Sequence, residues 1–191
     1  MEVNKKWDEA ESIQLIRSML ETTRSRMYNH RFLYFLWGYL TLACAVAHYI
    51  LGYVVVVGQP YLVWLCMPLA AIVHMVYLTR ERKTQTVKTY ADRVMAGIWG
   101  GMSIAIIALL AGVPKVGWEV VYPVFMLLYG VAAYSSGMAL RYKFLIWGGI
   151  VSIGCGIWAF YKPFPVQLLL LQVAIIASFI VPAHFMTHKP Q

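Results

Sequence analysis

Residues 120–161 read VVYPVFMLLYGVAAYSSGMAL, then RYK, then FLIWGGIVSIGCGIWAFY. Two apolar runs, Val120–Leu140 and Phe144–Tyr161, are separated by nothing more than Arg141-Tyr142-Lys143. A bilayer core of roughly 30 Å takes about 20 helical residues. Both runs are continuously apolar, without the alternation that a barrel strand needs. They therefore predict a transmembrane helical hairpin whose tip is cationic.

Four more runs of this kind flank that hairpin: Leu33–Val57, Tyr61–Leu78, Val94–Val113 and Val166–Met186. Gly58-Gln59-Pro60, Pro114-Lys115-Val116-Gly117 and Lys162-Pro163-Phe164-Pro165 break the chain between runs. The segment from Thr79 to Arg93 is the one long connection. Of the 191 residues 61% are hydrophobic and 13% charged, with mean hydropathy +0.65. Soluble domains run at about 45–50% apolar and about 25% charged, and six spans leave no room for a separate soluble domain. The sequence thus predicts an all-α polytopic membrane protein. Residues 1–31 form a cytoplasmic segment with an amphipathic helix, residues 32–187 a six-helix transmembrane bundle of three hairpins, and residues 188–191 a short cytoplasmic tail.

Basic residues orient it. Fourteen of the sixteen Lys and Arg precede the first run, fall in the second and fourth connections or follow the last run, and the other two are Lys115 and Lys162. The positive-inside rule then places both termini in the cytoplasm and requires an even number of spans. Topology accounts for the net charge of +8, so no nucleic-acid partner is expected. The first 31 residues carry acids as well as bases, unlike a cleavable signal peptide. Cys44, Cys66 and Cys155 lie inside apolar runs, which argues against a disulfide framework.

Each inward-starting run opens alike, on Trp37-Gly38, Trp99-Gly100-Gly101 and Trp147-Gly148-Gly149. Small residues recur at four-residue spacing, as Gly97, Gly101 and Ala105, and as Gly148, Ser152 and Gly156. In lipid no hydrophobic force drives helices together, so close approach over small residues marks expected helix contacts. Gly38, Thr41, Ala45, His48 and Gly52 share a face of the first run. Pro68, Pro123 and Pro182 each free a backbone carbonyl.

No Asp, Glu, Lys or Arg lies well inside a run. Ion-coupled transporters, pumps and voltage sensors keep such charges in the bilayer. Paired aspartates, a His-Glu-x-x-His helix, a Gly-x-Ser-x-Gly elbow and a phosphate loop are absent too. No catalytic residue, cofactor or metal is therefore expected. A histidine inside a span on an interior face is a candidate functional group, which marks His48, and with it His74 and Trp64, as candidate ligand-binding residues. A haem between His48 and His74 is disfavoured, because counting at about 1.5 Å per residue places them at different depths. In the N-terminal segment Asp8 is a plausible N-cap, followed by Glu9 and Glu11 in the first turn. Ile13, Ile16 and Leu20 continue as an apolar stripe for docking on the bundle, on a cytoplasmic protein partner or on a second copy. Membrane lipid is the remaining partner.

Leu128-Tyr129-Gly130, Ser136-Gly137, Leu140-Arg141-Tyr142-Lys143, Gly148-Gly149 and the ending Ile180-Val181-Pro182-Ala183-His184 resemble a group of small uncharacterised bacterial membrane proteins. The acidic-then-apolar N-terminal helix is similar as well. The resemblance implies a six-helix inner-membrane protein, often encoded beside a winged-helix transcription regulator. It brings no activity and no binding residues.

Overall fold

The computed structural model describes residues 31–84 and 90–186. The predicted N-terminal helix, with Ile13, Ile16 and Leu20, and the tail 188–191 lie outside the described residues. Within them there are helices and no strand. Helix α1 spans Arg31–Val54, and a 3-10 segment, Pro60–Leu65, leads into α2, Cys66–Thr84. Next come α3 (Tyr90–Val116), α4 (Trp118–Ala139), α5 (Lys143–Ala159) and α6 (Phe164–Phe185). Five of the six are long and apolar enough to cross a membrane. Helix α5 has 17 residues and measures roughly 26 Å.

Large apolar side chains lie bare along whole helices. Leu65, Leu69, Ile72 and Met75 near and in α2 are 61–66% exposed, and Ile104 and Ile107 of α3 are 70% and 67% exposed. In water such stripes would aggregate, whereas in hydrocarbon they cost nothing. The chain is a multi-pass helical membrane protein.

Glycine decides which helices touch. Helix α5 lies between α4 and α6. A Cβ added at Gly149 would stand 2.6 Å from the Tyr134 backbone nitrogen and 2.7 Å from the Gly130 carbonyl, and one at Gly137 2.7 Å from the Ile146 nitrogen. At Gly156 it would meet the Pro123 carbonyl at 3.0 Å, and Ser152 Oγ donates to the Met126 carbonyl at 2.8 Å. Gly148, about 100° round the helix from Gly149, faces the other way, its hydrogen directly against the Ala177 carbonyl. Helix α1 then packs on α6 through Gly38, beside Ile180 and Phe179, and buries Thr41, Ala45 and His48.

The other predicted stripe requires correction. Among the described residues no heavy atom lies within 4 Å of a Cβ built at Gly97 or Gly101, so neither forms a contact with another described helix. The reason is rotational. Trp99 turns inward, its ring centroid 5.6 Å from those of Tyr34 and Phe179. Residues two positions away in either direction then point to the opposite side of the helix.

Prolines and turns shape the ends. Pro123 has no N–H to offer the carbonyl of Glu119, four residues back. Gln167 of α6, 2% exposed, supplies the missing donor: its Nε2 lies 3.0 Å from that oxygen, 3.2 Å from the Ala159 carbonyl and 3.0 Å from the Lys162 carbonyl. One amide thereby ties α4, α5 and α6 together where the α5–α6 connection turns. Pro182 follows a widened π turn, Ile176–Ile180, and its own carbonyl accepts from the Tyr142 hydroxyl at 2.9 Å. The turn after α4 closes without glycine. Arg141 adopts φ 51°, and Tyr142 N–H and Arg141 N–H reach back to the Gly137 and Met138 carbonyls at 2.8 and 3.3 Å, a Schellman cap. After α1 the left-handed position falls on Val56, φ 58°, where a β-branched residue is strained.

Candidate functional site

Helices α1 to α6 alternate in direction, so α1 ends where α2, α4 and α6 begin. At this end, called distal below, the tail of α1 brings His48 inward, 6% exposed. The 3-10 segment carries Trp64 across to it, and the indole Nε1–H donates to His48 Nδ1 at 2.9 Å. From the first turns of α4, the Tyr122 hydroxyl reaches the same nitrogen at 3.4 Å. Phe164, the first residue of α6, closes the nest, its ring 5.7 Å from His48 and 5.0 Å from Tyr122. Beside it, a Cβ at Gly52 would be 3.4 Å from Pro60 and 3.9 Å from His48 Cδ2. Cys44, one turn back on α1, donates its S–H to the Val63 carbonyl at 3.3 Å.

This geometry sets the imidazole's tautomer. An indole nitrogen donates and never accepts, so Nδ1 must present its lone pair and Nε2 must carry the hydrogen. Both contacts of His48 fall on Nδ1, which leaves Nε2–H without a hydrogen-bond partner among the described residues. The ring offers an N–H donor at that edge instead of a lone pair for a metal. Among the described residues no three His, Cys, Asp or Glu are grouped to hold a metal ion.

Of the three candidate ligand-binding residues, the fold joins His48 to Trp64 and leaves His74 apart, in keeping with the different depth that residue counting gives it. His74 of α2 accepts from Trp37 Nε1 of α1 at 2.8 Å, in a second pairing that mirrors the first. Along α1 the two pairs are eleven residues apart, from 37 to 48, or roughly 16 Å at 1.5 Å per residue. In an antiparallel pair of helices the later residue on one lies level with the earlier residue on the other. His74 therefore sits away from the distal end and belongs to no common site with His48 and Trp64.

Sequence reasoning missed Tyr122 and Phe164 at the nest, and Gln167 behind it. Each lies in the first turns of its helix, next to a break marked by Pro or Gly, and that proximity to a common end was the available signal. From the nest a file of rings continues inward through Phe125, Tyr129 and Phe179 to Tyr34 and Trp99, with centroids 5.6–6.3 Å apart. Comparison of the chain with protein-family models, curated proteins and solved structures finds no match.

Proposed function

We propose that this chain is a non-enzymatic membrane bundle of six spans that acts through protein contacts inside the bilayer, as an accessory or sensory-regulatory subunit of the bacterial inner membrane. One observation carries it: in α3, Gly97, Gly100, Gly101 and Gly112 have no neighbour within 4 Å of a Cβ position. Gly130, Gly137, Gly148, Gly149 and Gly156 are, by contrast, filled to backbone contact. Each glycine costs a helix about 0.5–1 kcal/mol relative to alanine. In α4, and in α5 at every glycine but Gly154, close packing offsets that cost, and in α3 nothing within the described residues does. Glycine at four-residue spacing on a lipid-facing surface is the pattern over which transmembrane helices pair. A second copy presents the same face, so the stripe is self-complementary about a two-fold axis.

Native mass spectrometry from gentle detergent checks this. The unaltered protein is expected as a dimer and Gly101→Leu as a monomer, with thermal stability of the monomer changed by no more than about 0.5 kcal/mol, as for an uncontacted surface site. A monomeric unaltered protein, or a Gly101→Leu dimer, refutes the pairing. The same spectra address a second reading, small-solute binding at the distal nest, which the His48 Nε2–H, without a partner among the described residues, favours. A retained small molecule lost on His48→Ala would support it.

Six spans place both termini in the cytoplasm, in keeping with the fourteen basic residues on one side and two on the other. The short α5 supports the count, because it runs antiparallel to α4 from Gly156 beside Pro123 to Ile146 beside Gly137. A helix so paired crosses wherever its neighbour crosses. Single added cysteines at Lys83 and Lys115 are expected to label from opposite sides of intact cells. Labelling of both from one side would remove the six-span topology.

A further inference from the structure

We infer that His48 is a proton-operated latch that holds the head of α2 against the bundle when neutral and releases it when protonated. The asymmetry of its two partners makes it a switch. Neutral His48 accepts at Nδ1 from Trp64 of the 3-10 segment that leads into α2 and meets the Tyr122 hydroxyl of α4 at the same atom. Protonated imidazole carries hydrogen on both nitrogens and accepts from neither. The Trp64 indole has no lone pair in its ring plane to offer in return, so its bond is lost and two N–H groups are left facing each other. The Tyr122 hydroxyl can reverse, because it accepts as readily as it donates. Protonation therefore transfers His48 from α2 to α4.

Among the described residues the groups that face His48 are few: the Trp64 indole from the 3-10 segment, the Tyr122 hydroxyl from α4, the Phe164 ring from α6 and, nearby on its own helix, the Cys44 thiol. None carries charge at neutral pH, so among the described residues no carboxylate stands ready to hold the imidazolium in place. The moving part is lightly held. Pro60–Leu65 contains no buried residue, and among the described residues its other ties to the bundle are few: the Cys44 thiol, on the Val63 carbonyl and beside Cys66, the packing of Pro60 beside Gly52 and the Trp64 indole against Tyr122. Helix α2 beyond it stays attached to α1 through Trp37 and His74. Release thus opens the distal end alone, between α1, α2 and α4.

Indole NMR of the full chain in lipid nanodiscs tests the latch. With nitrogen-labelled tryptophan the seven indole signals are resolved, and Trp64→Phe identifies the one at position 64. Between about pH 8 and about pH 5, the window in which histidine changes charge, the Trp64 indole proton is expected to move upfield as its bond breaks. It should do so with the same midpoint as the His48 ring protons. In His48→Gln, whose side-chain oxygen accepts at every pH, the signal is expected to stay at its bonded position throughout. A Trp64 signal that ignores pH, a His48 ring that does not titrate, or an equal shift in His48→Gln would overturn the latch. Repeating the titration in Gly101→Leu separates it from the contact function, because the latch lies within one copy and should operate in the monomer.

Discussion

Replacing Gly148 by alanine should lower the stability of the bundle by about 1–3 kcal/mol, the usual cost of forcing added methyl groups into a packed interior. The new Cβ would land on the Ala177 carbonyl, with the Ala177 carbonyl carbon 2.8 Å and the Ser178 Cα 3.0 Å away. All three are backbone atoms of α6, and no side chain can rotate to make room. The two helices must therefore separate, and α1 is carried with them, because Gly38 packs on Phe179 and Ile180 just beyond. Alanine's better helix propensity returns about 0.8–1.0 kcal/mol at most, less than the clash removes. Thermal unfolding of the full chain in detergent measures the difference, with Gly101→Ala as the matched control. Within one copy no described heavy atom meets its methyl group, so that control, compared in the dissociated monomer, is expected to change stability by no more than about 0.5 kcal/mol. A Gly148→Ala protein as stable as the original would mean that α5 and α6 do not approach as closely as this packing requires.

Gln167→Leu is expected to cost about 2–4 kcal/mol. Leucine fills a similar volume, but it withdraws both amide hydrogens from three carbonyls at one buried corner. An unsatisfied buried acceptor costs about 1–3 kcal/mol. The three are not equally exposed to that loss. The Ala159 carbonyl keeps the Lys162 N–H at 3.1 Å, whereas Glu119 has no helical donor because Pro123 stands where one would be. A coupling follows. In a Pro123→Ala background the restored N–H can serve the Glu119 carbonyl, so Gln167→Leu should cost less there than in the original chain. A double-mutant cycle on unfolding free energies reads this directly. Strict additivity of the two substitutions would show that Gln167 does not stand in for the proline's missing hydrogen.

How much of this molecule was legible beforehand differs from feature to feature, for a common physical cause. Six apolar segments, their limits at Gly58-Gln59-Pro60 and Lys162-Pro163-Phe164-Pro165, and the all-α class could be read along the chain. Bilayer thickness converts directly into a count of residues, and backbone groups in lipid must bond within their own segment. Likewise, Pro123 announced a carbonyl without a donor, although nothing local said that Gln167, 44 positions later, would supply it. The sequence placed His48 on the same face as Gly38, Thr41 and Ala45, and the fold buries that face against α6. Counting residues already set His48 and His74 at different depths, but it could not supply Tyr122 as a partner of His48 or the atoms that join His48 to Trp64, since those relations depend on the register of α1 against α2 and α4.

The glycine stripes divide most sharply. Gly97 with Gly101, and Gly148 with Gly156, have the same spacing and the same apolar surroundings in the sequence. In the fold one pair faces outward and the other is pressed between helices. A helix in water declares its inner face by being apolar there and polar elsewhere. In lipid both faces are apolar, so rotation about the axis is left to steric fit with neighbours. For α3 that fit is made by Trp99 wedged against Tyr34 and Phe179, and the indole, once inside, turns the glycines out. Length and hydropathy therefore determined from sequence alone that the chain folds as membrane-crossing helices. Which faces meet, which histidine meets which tryptophan, and which glycines stay open were decided only by side-chain packing in three dimensions.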